Sequence, residues 1–308
     1  MPWLDQPSAF VGMWMFEEDG RPFEGDPRHA LAQILDRYAA RGWQVVAATE
    51  LEFYLIDGSA ESLRPPKDPA SNRKIDSSAI LSLQQLDAFE AFFSELYQSC
   101  AQMGINAQAA SSEAGIGQFE ISLQHGDALR IADDTWLFKT LLKGLARKHG
   151  YAASFMAKPY PNDAGNGLHL HFSVIDEAGE NIFDDGTRQG SPLLQNAIAG
   201  CLATMRAATL GFAPHANSYT RMDPENHAPT SICWGYENRT AALRIPAGAH
   251  RARRIEHRVA GGDINPFLTL SLILGAALLG IEDDLTPPPP ITGNASSQDL
   301  PQLIHRWP

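Results

Sequence analysis

The stretch Asn166–Val174 reads Asn-Gly-Leu-His-Leu-His-Phe-Ser-Val, and it constrains the fold more than any other part of the chain. Its polar and apolar residues alternate, which predicts a β-strand, because successive side chains of a strand point to opposite faces. His169, His171 and Ser173 then share one face. The apolar face can pack against helices, so the other face presents two imidazoles and a hydroxyl, a natural arrangement for binding a metal and a phosphate. A single histidine is more often structural, but similar patterns recur on other predicted strands.

Composition limits what the chain can bind. Its 308 residues carry 24 Lys and Arg against 36 Asp and Glu, for a net charge of -12, which argues against a nucleic-acid or membrane partner. Cys100, Cys201 and Cys233 have no metal-binding spacing and favour a cytoplasmic protein. No signal peptide is visible at Met1–Asp5, and the apolar run Phe267–Ile281 is shorter than the roughly 20 residues that span a bilayer.

The predicted helices and strands follow one another without an internal repeat or a domain linker. Helices are predicted at 26–42, 86–100, 134–148, 192–210 and from Asn265-Pro266 onward, and strands at 43–56, 105–110, 113–123, 166–174, 239–245 and 254–259. Residues 1–25 predict a short hairpin or an irregular lead-in, and residues 58–78 a surface loop. The segment 214–237 has little regular pattern, and long irregular loops are often functional.

Carboxylates occur on predicted strands in the same alternating pattern as the histidines. Glu50 and Glu52 share one face of a strand, where they repel each other unless a cation lies between them. For this strand taken alone, a solvated polar face is the alternative. The complete candidate set is Glu50, Glu52, Glu113, Glu120, His169 and Glu256. Oxygen ligands without thiolates suit Mg²⁺ or Mn²⁺.

Five candidate site arginines lie within a window of 38 residues: Arg221, Arg239, Arg244, Arg254 and Arg258. Guanidinium groups bind carboxylate and phosphate oxygens in pairs, and together with Mg²⁺ they meet the needs of phosphoryl transfer. Any one of them alone could be an ordinary surface ion pair. The chain has no Walker A loop, glycine-rich dinucleotide loop or serine nucleophile elbow. Residue patterns alone therefore predict a metal-dependent enzyme that acts on a nucleotide or a phosphate.

From about Asp26 to Glu282 the motifs resemble those of the glutamine synthetase family, in the family's order. The matching signatures are Glu50–Phe53, Glu113–Glu120, Gly167–Ser173, Asn217–Arg221, Asn238–Pro246, Arg254–Arg258 and Asn265–Leu268. Seven motifs in one order are far more specific than any single one. The resemblance implies an α+β fold in which a curved, mainly antiparallel sheet forms a metal-lined funnel backed by helices.

The resemblance also implies a reaction and a role for each candidate residue. The reaction is ATP-dependent ligation of an amine to the γ-carboxylate of glutamate through a γ-glutamyl phosphate, with Mg²⁺ or Mn²⁺. Glu52, Glu113 and Glu120 would hold the metal at the acceptor carboxylate, and Glu50, His169 and Glu256 the metal on the ATP phosphates. His171, Ser173 and Arg254 would contact the nucleotide, Gly165, Arg221 and Arg258 the glutamate, and Arg239 and Arg244 the transferring phosphoryl group.

Two local departures from the family pattern concern the substrates. Ammonia-using members have a glutamate six residues after the arginine that matches Arg221, where it helps to deprotonate ammonium, whereas this chain has His227. The γ-glutamylpolyamine synthetase or glutamate–amine ligase branch, which the chain resembles most, also lacks that glutamate. An organic amine is therefore favoured over ammonia. The glycine loop at Asp163–Leu168 differs from the family's Asn-Gly-Ser-Gly-Met, which bears on the glutamate contacts at Ala164 and Gly165.

A third departure is length. Residues 1–25 fit only a remnant of the lead-in from the family's N-terminal β-grasp domain, which leaves 26–308 as a catalytic domain without its C-terminal helical segment. Full-length members form stacked-ring homo-oligomers in which that β-grasp domain covers the neighbouring active site. The alternatives are an ammonia-using glutamine synthetase or a catalytically silent relative that binds Mg-ATP. A metal-dependent hydrolase or guanidine kinase ranks last.

Overall fold

A single long strand is the centre of the sheet. In the computed structural model, which describes residues 1–59, 62–75, 77–78, 80–223 and 228–307, this strand (β1) runs over Gln44–Asp57. Its β-branched and aromatic residues favour extended backbone. Antiparallel neighbours pair with both of its edges, and the register places Glu50 opposite His169 on one side and Ser122 on the other. The strand predicted at 43–56 is confirmed.

The other strands extend the sheet outward from β1. They are β2 (Ala107–Ser112), β3 (Gln118–Asp127), β4 (Tyr151–Ser154), β5 (Leu168–Ile175), β6 (Trp234–Tyr236), β7 (Leu243–Ile245) and β8 (Ile255–His257). The order across the described sheet is β2-β3-β1-β5-β8-β7-β6, and β4 pairs with the far end of β1. These pairings are antiparallel except for β6 with β7. The α+β class with a mainly antiparallel sheet is confirmed.

Eight helices are described alongside this sheet. They are α1 (Pro27–Ala39), α2 (Leu83–Ala88), α3 (Glu90–Gln102), α4 (Ala128–Lys148), α5 (Pro192–Met205), α6 (Thr209–Phe212), α7 (Ala216–Arg221) and α8 (Pro266–Glu282). The predicted starts of α1 and α8 are confirmed, because Asp26 and Asn265 accept backbone hydrogen bonds as N-caps before a proline at N1.

Several predicted bounds were wrong for local reasons. The helix predicted at 86–100 is two helices, because buried Phe89 leaves helical geometry and packs edge-on against Phe119. Helix α4 begins six residues before the predicted 134, since Asp127 caps it. The strand predicted at 113–123 starts only at Gln118, after Gly117 with its positive φ of 78°.

Four more predicted elements were wrong in extent. The strand predicted at 105–110 lies at 107–112. The helix predicted at 192–210 ends at Met205. The strands predicted at 239–245 and 254–259 are three residues each, and the irregular segment 214–237 contains α7 and β6.

The most apolar helix, α8, forms the centre of the helical layer and packs against α1, α4 and α5. Tyr38 of α1 is buried and donates a hydrogen bond to the carbonyl of Leu274 at 2.9 Å. Contact with α5 is close because Gly200 and Gly280 face each other without side chains. Within the part of the chain that the structure describes, every helix is too short or too polar to span a bilayer.

The two ends of the chain are extended and irregular. In residues 1–25 an isolated bridge joins Phe16 and Pro22, and Asp26 accepts a hydrogen bond from the Met15 amide at 3.0 Å. After α8 the chain returns to the sheet, where Gln302 bridges to Ser231 before β6. The irregular lead-in was predicted, but the return of the C-terminal chain was not.

Candidate active site

Two cavities open on the polar face of the sheet, and Glu50 lines both. The larger, of about 610 Å³, is lined by these predicted site residues: Glu50, Glu52, Glu113, Glu120, Gly165, His169, Arg221, Arg239, Arg244 and Arg258. The smaller, of about 510 Å³, is lined by Glu50, His171, Ser173 and Arg254. The structure therefore brings the predicted site residues together in two adjoining spaces. Glu256 lines neither cavity and is fully buried.

Glu50 lies between the two histidines of β5. One carboxylate oxygen is 3.1 Å from Nδ1 of His169, and the other is 3.0 Å from Nε2 of His171. Burial opposes ionisation of Glu50, but the two imidazoles outweigh it and lower the pKa of the carboxyl group. Arg254 donates from Nε to Nδ1 of His171 at 3.2 Å. The predicted strand alternation thus aims both imidazoles at one carboxylate.

Glu256 is a buried carboxylate held between arginines. Arg244 donates to it from Nη1 at 2.7 Å, Arg258 donates to its other oxygen, and Nδ1 of His169 lies 3.9 Å away. Burial acts to raise the pKa of Glu256, but Arg258 and its cationic neighbours lower it overall. Glu256 therefore stays ionised and orients two of the arginines that line the larger cavity.

The carboxylates of Glu52, Glu113 and Glu120 form a cluster whose negative charge the neighbouring arginines offset only in part. Burial, with the charges of Glu50 and Glu52, raises the pKa of Glu120 to about 9. Burial and Glu52 likewise raise the pKa of Glu113 to about 7. Glu52 accepts a hydrogen bond from the Gly167 amide at 2.6 Å. Such a cluster needs protons or a cation to offset its charge.

These residues fit a hard divalent cation. Two groups have ligand atoms within 4.8 Å of one another: Glu50, Glu120 and His169, and Glu50, His171 and Glu256. Oxygen atoms predominate in both groups, as Mg²⁺ and Mn²⁺ prefer. Among the described residues, the buried Nε2 of His171 also has no aligned hydrogen-bond partner. Both groups differ from the expected ones. Glu50 and His169 accompany Glu120 in place of Glu52 and Glu113, and His171 replaces His169 beside Glu50 and Glu256.

The glycine loop at 163–167 is held by residues to which the sequence analysis assigned no role. Gln118 donates from Nε2 to the carbonyl of Gly165 and to Oδ1 of Asn166, both at 3.0 Å, and the Tyr54 hydroxyl donates to the carbonyl of Ala164 at 2.7 Å. Gln118 shares a face of β3 with Glu120, and that alternation could have identified it. At Gly165 a Cβ would lie 2.7 Å from Cγ of Arg221, so only glycine fits.

Arg221 is buried at the end of α7, and its position depends on the loop after β8. Its Nη1 donates to the carbonyl of Val259 at 2.9 Å. In the same helix, Ser218 donates to Asp263 at 2.5 Å. The residues 224–227, which include His227, lie outside the described residues, so the expectation about that position stays a prediction.

Lys139 of α4 binds the loop that follows β8, and we expect its titration to make the free energy of unfolding depend on pH. Its ammonium donates to the carbonyls of Gly262 at 2.7 Å and Ile264 at 3.2 Å. Burial, with Lys143 nearby, lowers the pKa of Lys139 from 10.5 to about 8. Between those values the unfolded chain binds more protons than the folded chain, so Lys139 contributes a free energy of unfolding that rises with pH.

The measurement is urea unfolding of the protein and of Lys139→Met at several pH values. The free energy of unfolding of the unsubstituted protein is expected to increase relative to that of Lys139→Met as pH rises from about 8 toward 10.5. Lys143→Met is the matched control, because this ammonium faces the same Phe155 ring at 5.9 Å. A pH-independent difference would contradict the assignment of the lowered pKa to Lys139.

Comparison with known proteins identifies the family. Residues 24–306 match the glutamine synthetase catalytic domain. The chain belongs to the glutamine synthetase family. Enzymes of this family use ATP and divalent metal ions, and the acidic groups described above are compatible with metal binding.

Among the family's characterised members, the chain is similar to several amine ligases. It is 38% identical to γ-glutamylputrescine synthetase of Escherichia coli, covering 94% of this chain and 63% of the relative. It is 34% identical to γ-glutamylethanolamide synthetase of Streptomyces coelicolor, covering 97% and 64%. A glutamine synthetase of Thermus thermophilus is 36% identical, covering 91% and 62%. The chain therefore spans just under two thirds of the length of these relatives.

A solved structure agrees with this assignment. The structure described as apo GmaS without ligand superposes with a TM-score of 0.82 at 32% identity, covering 94% of this chain and 66% of that one. The recognition of the family from seven motifs is confirmed.

Proposed function

We propose that this chain is the catalytic part of a ligase that joins an amine to the γ-carboxylate of glutamate and converts ATP to ADP and phosphate. The observation that carries the proposal is the position of Glu50, which lines both cavities and belongs to both candidate metal groups. A nucleotide in the smaller cavity and a carboxylate substrate in the larger one would meet beside this residue. Residues 26–308 would form the catalytic domain and residues 1–25 its lead-in.

The proposed reaction has two steps. A γ-carboxylate oxygen of glutamate attacks the γ-phosphorus of ATP, the bond to the bridging oxygen breaks, and ADP leaves. The amine, deprotonated from its ammonium form, attacks the acyl carbon, and phosphate leaves with the electrons of the carbon–oxygen bond. Of the two protons that the ammonium loses, one ends on phosphate and one in water.

Each cavity would bind its own substrate. His171, Ser173 and Arg254 would bind the nucleotide, and Gly165, Arg221 and Arg258 the glutamate, while Arg239 and Arg244 stabilise charge on the transferring phosphoryl group. Glu52, Glu113 and Glu120 would hold one metal ion, and Glu50, His169 and Glu256 another. Bound Mg²⁺ or Mn²⁺ would neutralise phosphate charge and polarise its oxygens.

The proposed acceptor is an organic amine, because His227 stands where ammonia-using members have a glutamate. The amine ligases named for putrescine, ethanolamine and isopropylamine are 38%, 34% and 34% identical to the chain. The glutamine synthetase of Thermus thermophilus lies within that range, at 36%. Sequence identity alone therefore does not separate ammonia from an amine.

The test measures glutamate-dependent ADP release with ammonia, putrescine and simple monoamines as acceptors. We expect an organic amine to give the highest kcat/KM. Ammonia as the best acceptor would overturn the amine assignment. Hydroxylamine provides a second readout, because it traps a γ-glutamyl phosphate as the hydroxamate whatever the natural acceptor. Calorimetric ATP binding with no hydroxamate and no turnover would support a catalytically silent relative.

A further inference from the structure

Two loops beside the larger cavity are joined by the side chain of Gln118. One is the glycine loop at 163–167, which the proposed function assigns to glutamate. The other is the segment 113–117 between β2 and β3, which begins with the metal-ligand candidate Glu113. Gln118 lines the cavity together with Glu113 and Gly165, yet its side chain is almost fully buried. Its amide therefore finds its hydrogen-bond partners inside the protein.

Both ends of the Gln118 amide are bonded to backbone or buried groups of the two loops. Its Oε1 accepts a hydrogen bond from the Gly115 amide at 2.8 Å, within the segment 113–117. Its Nε2 donates to the carbonyl of Gly165 and to Oδ1 of Asn166, both at 3.0 Å. These bonds use both amide hydrogens and a lone pair of the oxygen. A single residue at the start of β3 thus fixes the separation of the two loops.

Two further hydrogen bonds hold the loops in place. Oδ2 of Asp163 accepts a hydrogen bond from the Ile116 amide at 2.9 Å. The Tyr54 hydroxyl donates to the carbonyl of Ala164 at 2.7 Å. A Cβ at Gly115 would lie 1.8 Å from the hydroxyl oxygen of Tyr54, so only glycine leaves room for that hydroxyl. The glycine loop is therefore positioned from β1 as well as from β3.

The glycine loop in turn contacts groups that the proposed function assigns to glutamate and to metal. A Cβ at Gly165 would lie 2.7 Å from Cγ of Arg221, and the Gly167 amide donates to the Glu52 carboxylate at 2.6 Å. A shift of the loop would therefore displace a glutamate contact and a metal-ligand candidate together. Misplacement of a substrate-positioning group by about 1 Å can cost about 100-fold in rate.

We propose that Gln118, assisted by Tyr54, is a positioning residue for glutamate and acts by fixing the glycine loop against the segment 113–117. This inference rests on the proposed function. Both side chains act through backbone groups of the loop, so their loss would loosen the loop without removing a charge from the site. Neither residue lines the smaller cavity. Glutamate binding should therefore weaken in their variants while ATP binding does not.

Gln118→Met tests the inference, because it replaces the amide with an apolar group of similar length. We expect the KM for glutamate to rise by at least about tenfold and the KM for ATP to change by less than about twofold. Asn181→Leu is the matched control. The amide of Asn181 also accepts one backbone bond, from Phe183, and donates two, to the carbonyls of Arg251 and Arg253. This control should leave the KM for glutamate unchanged, and equal rises in both variants would overturn the inference.

Two single-hydroxyl variants keep the test decisive should Gln118→Met fail to fold. Tyr54→Phe removes only the hydroxyl that donates to Ala164, and the KM for glutamate is expected to rise by about threefold to tenfold. Tyr38→Phe removes a hydroxyl that is also buried and donates to the carbonyl of Leu274, in the helical layer. This second control is expected to lower the free energy of unfolding without changing the KM for glutamate. Equal KM values in the two tyrosine variants would refute the inference.

Calorimetric titration of glutamate into the protein with Mg²⁺ and ADP separates this inference from the proposed function. Glutamate binding that is about tenfold weaker in Gln118→Met supports the inference without requiring turnover. Unchanged glutamate affinity in Gln118→Met, with hydroxamate formed by the unsubstituted protein, overturns the inference alone. Absence of both glutamate binding and hydroxamate formation in the unsubstituted protein would overturn the proposed function and the inference with it.

Discussion

Glu50→Gln is expected to lower both the affinity for Mn²⁺ and the rate of ADP release by at least about 100-fold. The carboxylate lies 3.1 Å from Nδ1 of His169 and 3.0 Å from Nε2 of His171, and it belongs to both candidate metal groups. Glutamine keeps the size of the side chain but removes the charge and one anionic oxygen. A single substitution should therefore weaken cation binding where the two cavities meet.

The measurements are Mn²⁺ titration followed by electron paramagnetic resonance, and glutamate-dependent ADP release. Glu95→Gln is the control, since Glu95 of α3 also contacts two basic side chains, Lys148 at 2.6 Å and His149 at 2.7 Å, but lines neither cavity. We expect this variant to bind Mn²⁺ normally. Unchanged Mn²⁺ affinity in Glu50→Gln would contradict the proposed metal site.

Gly200→Ala is expected to lower the free energy of unfolding by about 2–3 kcal/mol. A Cβ at this position would lie 2.1 Å from the carbonyl oxygen of Ala276 and 2.6 Å from the amide of Gly280. Both contacts are to backbone atoms of α8, which cannot rotate away as a side chain can. The helices α5 and α8 would have to separate along the centre of the helical layer.

Urea unfolding followed by circular dichroism measures this effect. Gly275→Ala is the matched control in α8, because its Cβ would meet only the side chain of Ile34, at 3.4 Å. Alanine has the higher helix propensity, so this control is expected to be neutral or to gain up to about 1 kcal/mol. Equal losses in the two variants would show that close helix contact is not the cause.

Much of the site could be predicted because strand alternation is a local property. The spacing of Glu50 and Glu52, and of His169 and His171, places each pair on one face wherever the strand lies. Alternation also places Gln118 on the face of Glu120, although its role in holding the glycine loop became evident only from its hydrogen bonds.

Other features depend on partners that are distant in the chain. Glu256 was expected to bind metal, but its full burial between Arg244 and Arg258 depends on the pairing of β7 with β8. The break at Phe89 depends on packing against Phe119, which helical periodicity does not reveal.

Local spacing determined which faces carry the acidic, imidazole and guanidinium groups, because side-chain direction in a strand repeats every two residues. The resemblance of seven motifs to one family indicated the family and, with it, the α+β fold. Tertiary structure alone decided that Glu50 lines two cavities and that the chain after α8 returns to the sheet beside the larger one. Those arrangements follow from strand order and from hydrogen bonds between remote backbone segments, such as Thr230 with Leu303. Neither is encoded in the spacing of neighbouring residues.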